Sequence, residues 1–163
     1  MRGQVMHSKG RILIVEDDPS VLSILSENFE TGFPEVITAE NGVEALMKFK
    51  PYDYDLVISD IRMPEMDGFS LLENIRQMDP EVPFFMITGF PNNETVSTAI
   101  RKGADGLIPK PFHFEQLKTR IFDFFASRRQ KENRDLWRGI LWGSAVSIAF
   151  WVITGITLFL FLK

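Results

Sequence analysis

Short apolar runs alternate with stretches where apolar residues recur every three or four positions, and the alternation repeats five times before residue 127. Apolar runs without polar interruption suit strands buried on both faces, and the helical recurrence suits helices packed against them. Residues 11–16 read as the first strand. Asp18-Pro19 follows as an N-cap and a first helical residue, with Val21, Leu22, Leu25 and Phe29 at helical spacing. Gly32 is expected to end that helix, and Pro34 to bar its return. A strand over 35–39, an Asn41-Gly42 turn, a helix over 43–49 and a strand over 55–60 come next. Phe69, Leu72, Ile75 and Arg76 mark a third helix. A strand over 83–88, a helix at about 93–102 and a short strand over 106–108 follow. A last helix over 112–127 presents Phe114, Leu117, Ile121, Phe124 and Phe125 toward the core. Five βα units at this spacing predict an α/β domain, a doubly wound parallel sheet with helices on both faces.

The pattern changes after residue 127. Residues 139–162 (GILWGSAVSIAFWVITGITLFLFL) carry no charge. At roughly 1.5 Å per residue they span about 36 Å as a helix, enough to cross a hydrocarbon core of ~30 Å with some tilt. Trp137 and Trp142 lie near one end, where aromatic anchors sit. Arg128, Arg129, Lys131, Arg134 and Arg138 precede the stretch and only Lys163 follows it, so the positive-inside bias puts the globular part in the cytoplasm. A buried core helix or a cleaved targeting tail is the competing reading, and the five preceding helices leave a core helix little sheet to cover. Gly139, Gly143 and Ser147 share one stripe that permits close helix pairing, hence a homodimer. The organisation expected is a globular domain over 10–127, a basic linker or helix extension over 128–138, and a transmembrane helix over 139–162.

Charge sharpens these divisions. Residues 1–127 hold 12 Lys/Arg against 20 Asp/Glu, a net of −8, while 128–138 have a net of +3. An acidic domain argues against a nucleic-acid surface. The chain has no cysteine, which removes disulfides and thiolate metal sites. The first residues, MRGQVMHSKGR, lack the apolar core of a signal peptide.

The candidate chemistry gathers at strand ends. Glu16 and Asp17 close the first apolar run, Asp60 the third and Thr88 the fourth, and Lys110 follows the fifth. In a parallel sheet all five meet at the carboxyl edge, where open α/β folds place their sites. The set suits Mg²⁺ and transfer of a phosphoryl group onto a carboxylate. Asp17 and Asp60 would supply direct oxygens, with Glu16 acting through water. Lys110 would be a point charge for the phosphoryl oxygens, Thr88 would offer them a hydroxyl, and Gly89 leaves them room. Each residue alone has a plainer reading. Asp18 is a helix cap, Asp67-Gly68 is loop and turn chemistry, Thr88 could be a buried hydroxyl and Lys110 a surface lysine. His7 and His113 show no metal spacing. The joint spacing lifts Thr88 and Lys110 above those readings.

The stretches RILIVEDDPSVL, AENGVEAL, DLVISDIRMPEMDGFSLLENIR, PFFMITGF and KGADGLIPKPF together resemble the receiver domain of two-component response regulators, over about 10–126. The resemblance implies a flavodoxin-like sheet of strand order 2-1-3-4-5. It implies that Asp60 is the phosphoacceptor, that Glu16, Asp17, Asp60 and the backbone carbonyl of Arg62 hold Mg²⁺, and that Thr88 is the switch hydroxyl. Lys110 corresponds to the family's lysine, and Lys110-Pro111 to its cis peptide. A sensor histidine kinase or phosphotransfer protein is the implied donor, the bacterial inner membrane the implied location, and a membrane protein the expected output partner. Apart from accepting a phosphoryl group and slowly losing it, no enzymatic activity is expected.

Two positions depart from the family pattern. Leu107 stands where an aromatic switch residue is usual, so an aliphatic chain must serve or the switch is muted. Phe90 is bulky and lies near the approach of attacking water, so Phe90 with Arg62 is expected to slow dephosphorylation. Two alternatives to a tethered phosphoacceptor follow: a non-phosphorylated receiver-fold scaffold at the membrane, and a phosphate sink.

Overall fold

Ile12, Leu13, Ile14 and Val15 are almost wholly inaccessible, as a strand covered on both faces requires. They form the centre of a computed structural model that describes residues 10–131, 133, 134, 136 and 137. The chain divides into two units, 1–117 and 118–163. The first contains β1 (Arg11–Val15), α1 (Pro19–Phe29), β2 (Glu35–Ala39), α2 (Gly42–Lys48), β3 (Leu56–Asp60), α3 (Gly68–Met78), β4 (Phe84–Thr88), α4 (Asn93–Lys102) and β5 (Gly106–Pro109). The five strands are parallel in the order β2-β1-β3-β4-β5. This is the flavodoxin-like arrangement expected. β3 and β4 are buried along their whole length.

Short polar side chains start the helices. Asp18, Asn41, Asp67 and Asn92 each accept from an amide two or three residues on, in α1, α2, α3 and α4 respectively, satisfying donors that the helix leaves free. Asp67 is therefore more than loop chemistry: it sets where α3 begins. Gly103, at φ 83°, ends α4 in the left-handed conformation usual for glycine after a helix. α1 ends earlier than Gly32 would suggest. Its last residue is Phe29, whose carbonyl accepts from both Gly32 and Phe33 at 2.9 Å. Phe29 and Phe33 are both buried, with ring centroids 6.0 Å apart, so aromatic burial turns the chain before the glycine is reached.

The last helix begins at 114 rather than 112, because the His113 carbonyl accepts from Gln116 and Leu117. In the second unit, residues 118–131 are helical, as are 133, 134, 136 and 137, so the helix does not stop at 127. Leu117 and Ile121 are buried, whereas Phe114, Phe124 and Phe125 are only half-buried. Among the described residues no helix is long and apolar enough to cross a membrane. The transmembrane helix expected over 139–162 lies outside the described residues.

Candidate phosphoacceptor site

β1, β3, β4 and β5 end side by side, and their register fixes the site. Asp60, the last residue of β3, pairs with Ile87, so Thr88 stands one residue further along the neighbouring strand. Thr88 pairs in turn with Pro109, and the Lys110 amide donates to the Thr88 carbonyl at 2.7 Å. That bond and the cis Lys110-Pro111 peptide lie next to the lysine whose ammonium enters the site. Gly68 closes the other side. A Cβ there would lie 2.2 Å from the Asp60 carbonyl oxygen, so only glycine lets α3 start against the end of β3. Between them, Ile61 and Met63 are buried, and Met66 packs over Gly42. These three apolar anchors hold the intervening loop at the site.

The Lys110 ammonium lies 2.5 Å from Asp60 Oδ2 and 2.7 and 3.0 Å from the two Glu16 carboxylate oxygens. The Arg62 amide donates to Asp60 Oδ1 at 3.3 Å. Glu16 and Asp60 are buried, while Asp17 is exposed. One oxygen of each of the three acids lies within 4.8 Å of the others. Burial pushes Glu16 from 4.5 up to about 7, with Asp60 adding to the rise and Lys110 opposing it. Burial works against the Lys110 charge, but Asp60 and Glu16 outweigh it and hold its pKa above the ordinary value.

A hard divalent ion fits this donor set. It consists of carboxylate oxygens, one acid faces solvent so that waters can complete a shell, and two buried acids share a single lysine. Glu16 differs from expectation in one respect, since its carboxylate is engaged by Lys110 through both oxygens.

Thr88 is buried, and its hydroxyl oxygen accepts from the Phe90 amide at 3.1 Å. Gly89 has open space where a Cβ would be. Phe90 is exposed, and the Arg62 guanidinium lies over its ring, 4.1 Å from the centroid. The two residues singled out as rate-tuning thus touch each other. Leu107 is half-buried and packs against the core, in register with Met86.

Over residues 12–122 the chain matches the response regulator receiver domain. It belongs to that family. It is 37% identical over 113 residues to the chemotaxis protein CheY of Halobacterium salinarum, an alignment covering 69% of this chain and 94% of the relative. The transcriptional regulatory protein ZraR of Klebsiella oxytoca is 34% identical over 122 residues, but the chain spans only 28% of its length. Among solved structures, a CheY-like receiver from Methanospirillum hungatei superposes with a TM-score of 0.68 at 31% identity, covering 74% of this chain and 97% of that one. CheY in a CheX–CheY–BeF3–Mg²⁺ complex from Borrelia burgdorferi gives 0.65 at 32% identity, over 71% of this chain and 88% of that one.

Sequence reasoning passed over several residues that shape the receiver site. Asp67-Gly68 reads in sequence as turn chemistry, and only the structure reveals how closely Gly68 approaches the Asp60 carbonyl. Ser59, whose hydroxyl donates to the Asp60 carbonyl at 2.8 Å, left no signal beyond its place in the strand.

Proposed function

We propose that this receiver accepts a phosphoryl group on Asp60 from a sensor histidine kinase or phosphotransfer protein, with Mg²⁺, at the cytoplasmic face of a membrane to which residues 139–162 tether it. The observation that carries the reading is the Lys110 ammonium resting on both Asp60 and Glu16, 2.5 and 2.7 Å away, at a buried strand end. An Asp60 carboxylate oxygen attacks the phosphorus of a phosphohistidine, the P–N bond breaks, and the imidazole leaves with the electron pair and takes up a proton. Glu16, Asp17, Asp60 and the Arg62 carbonyl would hold the ion, which offsets the repulsion between carboxylate and phosphoryl oxygens. Lys110 passes from the free carboxylate to the arriving phosphoryl oxygens. The Thr88 hydroxyl accepts from Phe90 and keeps its own proton to give to the same oxygens. The protein is its own substrate, and the stack of Arg62 on Phe90 restricts water and slows loss of the phosphoryl group.

The output is contact of the α4 and β5 face with another membrane protein, or a change in pairing of two copies through their tails. A second reading, a scaffold that signals without phosphorylation, has one observation in its favour. Leu107 packs against the core and has no polar tip to exchange between two positions.

Intact mass of the full chain in detergent, after incubation with Mg²⁺ and a small-molecule phosphodonor, tests the assignment against Asp60→Asn. We expect one added phosphoryl group in the parent and none in the variant. An unmodified parent that still binds Mg²⁺ would favour the scaffold.

A further inference from the structure

The second unit supports an inference that rests on the tethered reading. Arg129, Lys131 and Arg134 are exposed on helical backbone, as are Leu136 and Trp137, each at 64%. Lys131 and Arg134, three residues apart, share a helix face. Over 128–138 the net charge is +3, within a chain whose first 127 residues have a net of −8. The very next residues are the uncharged stretch 139–162.

We infer that the segment 128–137 binds anionic phospholipid headgroups, with Lys131 and Arg134 on the phosphates and Leu136 and Trp137 entering the interface. Three features converge on a lipid surface. Basic residues next to an apolar span are drawn to an anionic leaflet. Arginine forks fit phosphate oxygens. An exposed tryptophan two residues before the apolar stretch suits the headgroup layer, where its ring is partly buried and its N–H is hydrated. Distance ranks the contributions. Along the sequence Arg134 precedes residue 139 by five positions and Lys131 by eight, while Arg128 and Arg129 stand ten or more before it and contribute less.

The test uses the full chain with Trp142→Phe and Trp151→Phe, so that Trp137 is the sole tryptophan. It is reconstituted in vesicles of phosphatidylcholine alone, or of equal parts phosphatidylcholine and phosphatidylglycerol. Vesicle flotation reports the tether, and quenching of Trp137 by a nitroxide at headgroup depth reports the segment. We expect flotation with both vesicles and quenching about twofold stronger with phosphatidylglycerol. The excess should vanish in high salt and in K131Q/R134Q, and survive largely in R128Q/R129Q. Flotation with both and equal quenching at low salt overturns the inference and leaves the tether standing. Flotation only with phosphatidylglycerol at low salt supports the inference and removes the tether. No flotation with either removes both.

Discussion

At the amino ends of the strands, Asp79 is buried and accepts from the backbone amides of Tyr52, Glu81 and Val82 at 2.8 to 3.1 Å. Asp55 accepts from Gly10 and Arg11, and Asp105 from Phe84 and Arg76. At the carboxyl ends, Asp60 is also buried, but its carboxylate meets one amide at 3.3 Å and a lysine. Both ends gather aspartates. At one end backbone amides bind all three, joined at Asp105 by the Arg76 guanidinium, which makes them part of the framework. The other leaves them to a movable ammonium, which an ion or a phosphoryl group can replace. Asp79 and Asp60 thus differ in the donors they meet, three amides against one amide and an ammonium, although both are buried.

Replacing a framework acid should cost the most stability and the least chemistry. Asp79→Ala strands three amides, that of Val82 in a buried setting, and should lower unfolding free energy by about 3 kcal/mol. Denaturant titration reads the loss. The same variant, at a temperature where it is folded, should still take up one phosphoryl group. Failure to do so would break the distinction between the two ends.

Lys110→Met should cost somewhat less, about 2 kcal/mol, by leaving Glu16 and Asp60 uncompensated. Saturating Mg²⁺ should recover part of that loss, because the ion binds the folded site alone. A larger rise of melting temperature with Mg²⁺ in this variant than in Asp79→Ala, whose site already has its lysine, would sharpen the comparison.

Acid titration gives a smaller effect with a defined sign. The folded-state value of Glu16 is raised from 4.5 to about 7, so in that window the folded protein holds a proton that the unfolded chain has released. Its contribution is therefore lost as pH rises from about 4.5 to about 7, and without Mg²⁺ stability declines across that range from this group. In Glu16→Gln that part of the slope should disappear, as melts at a series of pH values would show.

Phe90→Ala removes the stack under Arg62, worth about 0.5–1 kcal/mol at an exposed site. Stability should barely change. The phosphoryl half-life should shorten by about fivefold, the rate equivalent of ~1 kcal/mol. An unchanged half-life would detach the pair from dephosphorylation.

Much of this architecture was legible along the chain. The bounds of β2 and α4 coincide with those read from the apolar pattern, because strand burial and Asx capping are both local. The end of α1 and the start of the last helix differ from the pattern, because burial of Phe29 with Phe33 and the bonds to the His113 carbonyl set them. Asp79, Asp55 and Asp105 drew no notice. A lone acid before a strand looks the same in sequence whether it lies on the surface or accepts three amides. Arg76, whose guanidinium joins Val82, Gly103 and Asp105, shows in sequence only as one of the residues that mark the third helix.

The sequence by itself determined the five βα units and which side chains end the strands, since hydrophobic period and chain order are properties of the chain alone. It also determined the separation of an acidic domain from a basic segment and an uncharged one. Only the tertiary structure decided which acids are saturated and which are shared. The Lys110 ammonium reaches Glu16 across 94 positions and Asp60 across 50. Arg62 likewise meets Phe90 only once Asp60 and Thr88 stand at neighbouring strand ends. Hydrogen bonds and charge interactions act over a few ångströms of space, and the sheet register, not the spacing along the chain, sets those distances.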